Sequence, residues 1–231
     1  DQVSMRLKYD VGTYPQYNGN IAHQEWGAGI NYPNVYTYDY DKLNRLKSGV
    51  STGVAMSEYL TYDEMGNIAS MNRDGAGIST YSYSGNRLNK VATGPLTTLD
   101  YEYDLNGNAK FDGRNGVAIG YNILNLPSTV SKSCLSMSYT YDATGNKLKK
   151  VSSSEATSDY VDGIQYTGGA IDFIMTEEGK ARNNGGTYVY EYNLTDHLGN
   201  VRYTFNQHPT TGVLQGLQTN NYYPFGKQVG G

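Results

Sequence analysis

YTYDATGNKLKKV (Tyr139–Val151) decides the fold of this chain. Tyr139 and Tyr141 are two residues apart, so in an extended strand both rings lie on one face, and Tyr and Thr are residues that strands favour. Asp142 is suited to cap a type I turn through its carboxylate, with Ala143 and Thr144 at the centre and Gly145 taking positive φ in a bulge. Lys147–Val151 then return as a second strand, with Leu148 pointing away from its lysine neighbours. The stretch reads as a β-hairpin.

The same spelling recurs. YDYDKLNRL (Tyr38–Leu46), YLTYDEMGNI (Tyr59–Ile68), YSYSGNRLNKV (Tyr81–Val91), YEYDLNGNAKF (Tyr101–Phe111) and YNILNLPSTV (Tyr121–Val130) precede it. The second tyrosines fall at 40, 62, 83, 103, 121 and 141, in steps of 22, 21, 20, 18 and 20 residues. That period is well short of the roughly 34 residues of a helical-pair repeat. Gly, Asn, Tyr and Ser interrupt every window that could form an amphipathic helix. One hairpin alone is marginal, whereas many laid side by side share a face and stabilise one another. The expected fold is therefore all-β: consecutive antiparallel hairpins in one continuous, curved sheet.

Composition agrees. The 231 residues include 24 Tyr and 28 Gly but only 4 Phe and 1 Trp. A chain whose main large side chain is Tyr must lay rings on apolar surface while each hydroxyl finds water or a partner, which favours thin layers over a deep core. Eighteen basic and 22 acidic residues give a net charge of −4, so the clustered positive charge of a nucleic-acid interface is missing and no nucleic-acid partner is expected. Cys134 is the single cysteine and cannot form a disulfide within the chain. No apolar run reaches the roughly 18 residues of a membrane helix, so membrane insertion is not expected, and the first residues do not read as a signal peptide.

Around the clear repeats of 38–151, residues 1–37 read as irregular hairpins of the same sheet and 152–159 as a polar loop. Residues 160–182 read as two or three strands, with turns at Gly168–Gly169 and Glu177–Gly179. Residues 160–231 carry DHLGNVR (Asp196–Arg202) and YYPFG (Tyr222–Gly226). No linker marks a boundary, so 1–231 is expected to be a single module.

These motifs resemble the Rhs/YD-repeat family, in particular its Bacteroidetes-type core: the YxYDxxGN repeats, DHLGNVR, YYPFG, the LNLP of Leu124–Pro127, and the run from Asn18-Gly19-Asn20 through Trp26 to YTYDYDKLNRL. The resemblance covers essentially the whole chain. It implies a long β-sheet spiralling into a hollow shell. In bacterial Rhs proteins such a shell encloses a variable C-terminal toxin, and in animal teneurins a similar barrel is an extracellular adhesion module. The implied partners are the remainder of the shell and an enclosed toxin or other cargo polypeptide, with a secreted or bacterial cell-surface location. The implied role is structural rather than enzymatic, with no cofactor. The family's closing block and its aspartate-based self-cleavage find no counterpart here, so the chain is expected to be a portion of a shell, and no autoproteolytic residue is assigned.

The residues marked for inspection are Tyr139, Tyr141, Asp142 and Gly145 of the hairpin above, Asp196, His197, Gly199, Asn200 and Arg202 of DHLGNVR, and Pro224, Phe225 and Gly226 of YYPFG. Asp104, Asn106 and Asn108 match the first oxygen ligands of an EF-hand loop, but Ala109 stands at its glycine and Asn115 at its last ligand, so a hairpin turn is the preferred reading over calcium. Asp196-His197 offers a carboxylate beside an imidazole, yet neighbours on a strand face opposite sides, and fixing the turn is preferred over catalysis. Lys147, Lys149 and Lys150 form the densest basic spot, read first as a solvated face. Stacking of tyrosines on sugar rings keeps an adhesion or carbohydrate-binding module as the alternative function.

Overall fold

The computed structural model describes residues 3–229 and contains strands and turns without a helix among them. The first sheet holds eight strands: β1 (Ser4–Lys8), β2 (His23–Gly27), β3 (Asn34–Tyr40), β4 (Leu46–Thr52), β5 (Glu58–Tyr62), β6 (Ile68–Arg73), β7 (Ile78–Ser84) and β8 (Arg87–Thr93). The second holds thirteen. These are β9 (Glu102–Tyr103), β10 (Ala109–Asp112), β11 (Val117–Tyr121), β12 (Pro127–Lys132), β13 (Leu135–Tyr141), β14 (Lys147–Ser152) and β15 (Ser158–Val161), then β16 (Ile164–Thr167), β17 (Ala170–Thr176), β18 (Gly179–Asn184), β19 (Thr187–Thr195), β20 (Val201–Gln207) and β21 (Leu214–Thr219). A small hairpin of β22 (Asn221–Tyr222) and β23 (Gln228–Val229) follows. In both large sheets every strand lies beside its sequence neighbour, and every pairing is antiparallel.

One turn chemistry builds six of the hairpins. In the Tyr139–Val151 unit, Asp142 Oδ1 accepts from the backbone N–H of Thr144 at 2.8 Å and of Asn146 at 2.9 Å, while Asn146 Nδ2 donates to Oδ2 at 2.9 Å. Gly145 takes the expected positive φ, 93°, and a separate bulge lies further along the hairpin, where the register slips between Thr140 and Tyr141 and Leu148 is the extra residue. Asp41, Asp63, Asp104 and Asp196 accept the same pair of backbone bonds, and Asn122 does so with its amide oxygen. Where glycine is replaced at the left-handed position, asparagine stands there: Asn44 at 62° and Asn125 at 58°.

The second tyrosine of each unit ties one hairpin to the next. Between units the backbone ladder runs out early; β4 and β5 pair only through Ser48 with Tyr59 and Gly49 with Glu58. At that open seam Tyr62 donates its hydroxyl to the Leu46 carbonyl at 2.7 Å. Tyr83 does the same to Ile68, Tyr103 to Leu88, Tyr121 to Ala109 and Tyr141 to Pro127, at 2.8 to 3.0 Å. The repeat therefore encodes a side-chain bond where the main chain has none to give.

The continuous sheet expected from the repeats is interrupted twice among the described residues, before the small β22–β23 hairpin and between β8 and β9, where residues 94–101 form an irregular crossing. Tyr101 N donates to Asn89 O at 2.7 Å and Tyr103 bridges to Leu88, so the ribbon carries on across the gap.

Candidate functional site

Registered columns identify the inward face. Tyr38, Gly49, Glu58 and Arg73 lie opposite one another across β3 to β6, as do Leu60, Met71 and Ser79 across β5 to β7; directly opposed residues share a face. Most of this column is buried, with Tyr36, Tyr38 and Trp26 forming a stacked core with ring centroids 5.2 and 5.3 Å apart. The reverse face carries exposed hydroxyl pairs such as Thr61 with Ser70 and Thr80 with Thr93. At the far end of the ribbon Arg202, on β20, extends its side chain back onto Trp26. The two sheets thus meet through their inner faces, and the ribbon curls until its last strands reach its first.

The clamp at this meeting point is made by the two late motifs. Asp196-His197-Leu198-Gly199-Asn200 is one more copy of the repeat turn: both Asp196 oxygens are committed to Leu198, Asn200 N and Asn200 Nδ2 at 3.0 to 3.1 Å. No Asp196–His197 hydrogen bond is present, and His197 lines a cavity of about 290 Å³ between the sheets. Arg202 follows as the second residue of the return strand β20. Arg202 is only 5% exposed, and its guanidinium lies 5.3 Å from the Trp26 ring and 5.8 Å from that of Tyr222 and donates to Asn221 Oδ1 at 3.1 Å. Burial lowers its pKa, against the opposing pull of Asp196. Trp26 Nε1 donates to the same Asn221 oxygen at 3.1 Å.

YYPFG is a repeat in disguise. Tyr222 donates to the Val201 carbonyl at 2.8 Å, as the seam tyrosines do. Tyr223 N bonds to Lys227 O and Gly226 N to Tyr223 O, the same backbone turn with tyrosine where aspartate usually stands. Gly226 takes φ of 77°. The hairpin lies on the inner face of the first sheet: the single Tyr36 hydroxyl proton is shared between the Tyr222 carbonyl at 3.0 Å and the Met56 carbonyl at 2.9 Å. Pro224 packs on Gly49, where an added Cβ would come within 2.5 Å of its ring. Phe225 is half exposed at the cavity mouth. Tyr223 donates to Asp74 and its ring lies 5.0 Å from the Arg73 guanidinium, which in turn bonds the fully buried Glu58 at 2.5 Å. Burial and Asp74 push the Tyr223 phenol up to about 12; burial likewise raises Tyr36 and Tyr38.

The residues singled out in the sequence thus separate into two places. Asp196, His197, Gly199, Asn200, Arg202, Pro224, Phe225 and Gly226 converge on the clamp, while Tyr139, Tyr141, Asp142 and Gly145 belong to the β13–β14 hairpin in the middle of the second sheet. Asp104 spends its oxygens on Asn106 N, Asn108 N and Asn108 Nδ2, the same bonds as its sister turns, and Asn106 and Asn108 donate onward to Asn125 Oδ1. Tyr36 of YTYDYDKLNRL joins them, and Asp74, Glu58, Arg73 and Asn221 complete the clamp without a motif of their own. The periodic position of Tyr222 ahead of a turn was the one signal available for the hairpin.

The profile of the teneurin YD-shell matches residues 2–161. No curated protein matches the chain. Among solved structures, TcdB2-TccC3-TEV superposes with a TM-score of 0.58 at 14% identity, covering 98% of this chain. TcdB2-TccC3-Cdc42 gives 0.58 at 14% over 97%, and the Photorhabdus luminescens Tc holotoxin pore 0.57 at 14% over 98%. The chain spans about 15% of the length of these structures, and the likeness is one of fold.

Proposed function

The chain belongs to the teneurin YD-shell family, and we propose that it is a length of shell wall of the Bacteroidetes-type Rhs core, non-enzymatic, that helps to enclose a toxin or other cargo polypeptide in a secreted or surface-exposed protein. The observation that carries this reading is the clamp: Arg202, Asn221 and Tyr222 join the last strands to Trp26 and Tyr36 on the first sheet, so the ribbon curls into a wall instead of lying open. One of the matched structures is named as a Tc holotoxin pore, which supports a role within a toxin assembly. The test is limited proteolysis of the complete reading frame. A downstream segment inside the shell resists protease in the intact protein and becomes cleavable in Arg202→Ala; a downstream segment cut equally fast in both rejects the reading.

A second reading, adhesion through carbohydrate, is favoured by one observation: Tyr190, Tyr192, Phe205 and Tyr203 form a stacked row on the outer face, and Tyr190 is 54% exposed. Saturable glycan-array binding abolished by Tyr190→Ala supports it, and a blank array rejects it.

A further inference from the structure

The series of seam tyrosines breaks at β14. In each closed seam the accepting carbonyl belongs to the residue opposite the preceding tyrosine: Leu46 faces Tyr40, Ile68 faces Tyr62, Leu88 faces Tyr83, Ala109 faces Tyr103 and Pro127 faces Tyr121. Lys147 faces Tyr141 in the same way, yet among the described residues no hydroxyl reaches its carbonyl. Counting from the last ladder pairs, Ser48 with Tyr59 and Lys149 with Asp159, the place of Tyr62 falls to Asp162. β15 ends at Val161, one residue early, and Asp162 sits in the turn at φ of 46° with no ring to give.

A slot of about 610 Å³ stands open there, between the turn at 142–146 and the turn at 161–164, and its size suits a small ligand or a side chain with its backbone. It opens on the inner face. Asn206, on the Arg202 side of β20, faces Glu191, which faces Lys180; Arg182 beside it faces Phe173, and Gln165 links Phe173 to Tyr160. This wall inverts the polarity of the first sheet. From β3 to β8 aromatic and apolar residues turn inward and hydroxyls outward, whereas β18 to β20 turn Lys180, Arg182, Glu191 and Thr204 inward and the stacked row from Tyr190 to Tyr203 outward. Beside that charged surface the slot is an apolar recess, walled by Tyr160, Phe173 and Met175. Its rim carries a cation. Lys149 and Lys150 pair with Asp159 and Glu155, but Lys147 has no carboxylate partner among the described residues and holds its ammonium 4.7 Å from the Tyr139 ring and 5.9 Å from that of Tyr160.

We propose that this slot binds the side chain of a tyrosine presented by another polypeptide, the phenol donating to the Lys147 carbonyl. Five seams of the chain itself show what fills the equivalent place: a tyrosine ring beside the turn with its hydroxyl on that carbonyl. The walls cover the ring carbons, and the Lys147 ammonium attracts the face of a further ring. Phenylalanine fills the same space but leaves the carbonyl without its donor. Because the slot opens inward, the polypeptide it takes is the one the wall encloses, a source that rests on the container reading above; the phenol site itself is tested without it.

The test is an amide chemical-shift titration of the 231-residue chain with N-acetyltyrosinamide and, separately, N-acetylphenylalaninamide. The expected result is saturable shifts centred on Leu148, Tyr160 and Phe173, with the phenylalanine derivative at least threefold weaker. Met175→Trp, at a 58% exposed position on the slot wall, fills the recess and weakens the tyrosine derivative at least tenfold, while Met65→Trp, on a similarly exposed turn of the first sheet, leaves binding unchanged. Four results overturn the proposal: no saturable shift; shifts centred elsewhere, as on the Tyr190 row; equal affinity for the two derivatives; or undiminished binding in Met175→Trp. A failed titration leaves the container reading standing, whereas equal cleavage in the proteolysis test above overturns only the enclosed source of the tyrosine.

Discussion

Replacing Arg202 tests the clamp quantitatively. The guanidinium makes one charge-assisted hydrogen bond, to Asn221, and sits over two rings. A hydrogen bond to a charged group is worth about 1.5–3 kcal/mol, and a desolvated cation–π contact about 2 kcal/mol. Against this stands the cost of holding a cation nearly out of water with no carboxylate bonded to it, of order several kcal/mol. Arg202→Met keeps most of the packing volume and relieves that cost, so the opposing effects nearly cancel and the expected loss is about 0–2 kcal/mol. Arg202→Ala also removes the stem lying between Trp26 and Tyr222, and the cavity raises the loss to about 2–4 kcal/mol. Urea unfolding read by fluorescence is specific here, because Trp26 is the chain's single tryptophan and lies beneath Arg202. The expected order of midpoints is wild type, then Met, then Ala, with Trp26 emission red-shifted in folded Arg202→Ala. Equal midpoints and unchanged emission in both variants would refute the reasoning.

Three further outcomes are expected. Tyr62→Phe, Tyr103→Phe and Tyr141→Phe each delete one seam bond and leave a carbonyl unpaired, costing about 1 kcal/mol apiece and adding in combination, as urea midpoints will show. Gly145→Ala forces a side chain into positive φ and costs about 1–2 kcal/mol, whereas Gly145→Asn costs less, since asparagine holds this turn position at residues 44 and 125. The pH profile of stability has two edges. Hydrogen bonds hold Asp142 down at about 2 and lower Asp41, Asp63 and Asp104, so their stabilisation is present above the unfolded carboxylate range and disappears as pH falls through it towards 2. Tyr223, raised to about 12, stabilises fully below pH 10 and loses that contribution as pH climbs through 12. A melting-temperature scan that stays flat from pH 5 to pH 2 contradicts the turn chemistry.

The hairpins were legible because their causes are local. Asp142, Gly145 and the paired tyrosines act within a dozen residues, and periodicity multiplies the signal. DHLGN was readable as a turn for the same reason. The seam bonds were half legible: the tyrosines announced a shared face, but their carbonyl partners lie 12 to 16 residues back, at a point fixed by where the ladder fails. The clamp was not legible as geometry. Trp26 and Asn221 are 195 residues apart, and nothing in the spacing of either states that twenty strands of accumulated curl bring them together. The inverted polarity of β18 to β20 also escaped, since alternation alone shows two faces without saying which is inside.

The indole N–H of Trp26 gives the most direct test of the closed ribbon. One tryptophan gives one indole resonance, and its hydrogen bond to Asn221 fixes what that proton must sense. The account predicts slow exchange with solvent and nuclear Overhauser contacts from that proton to Asn221, Arg202 and Tyr222. A rapidly exchanging indole that reports only neighbours on β1 to β3 would mean that the two ends of the ribbon do not meet.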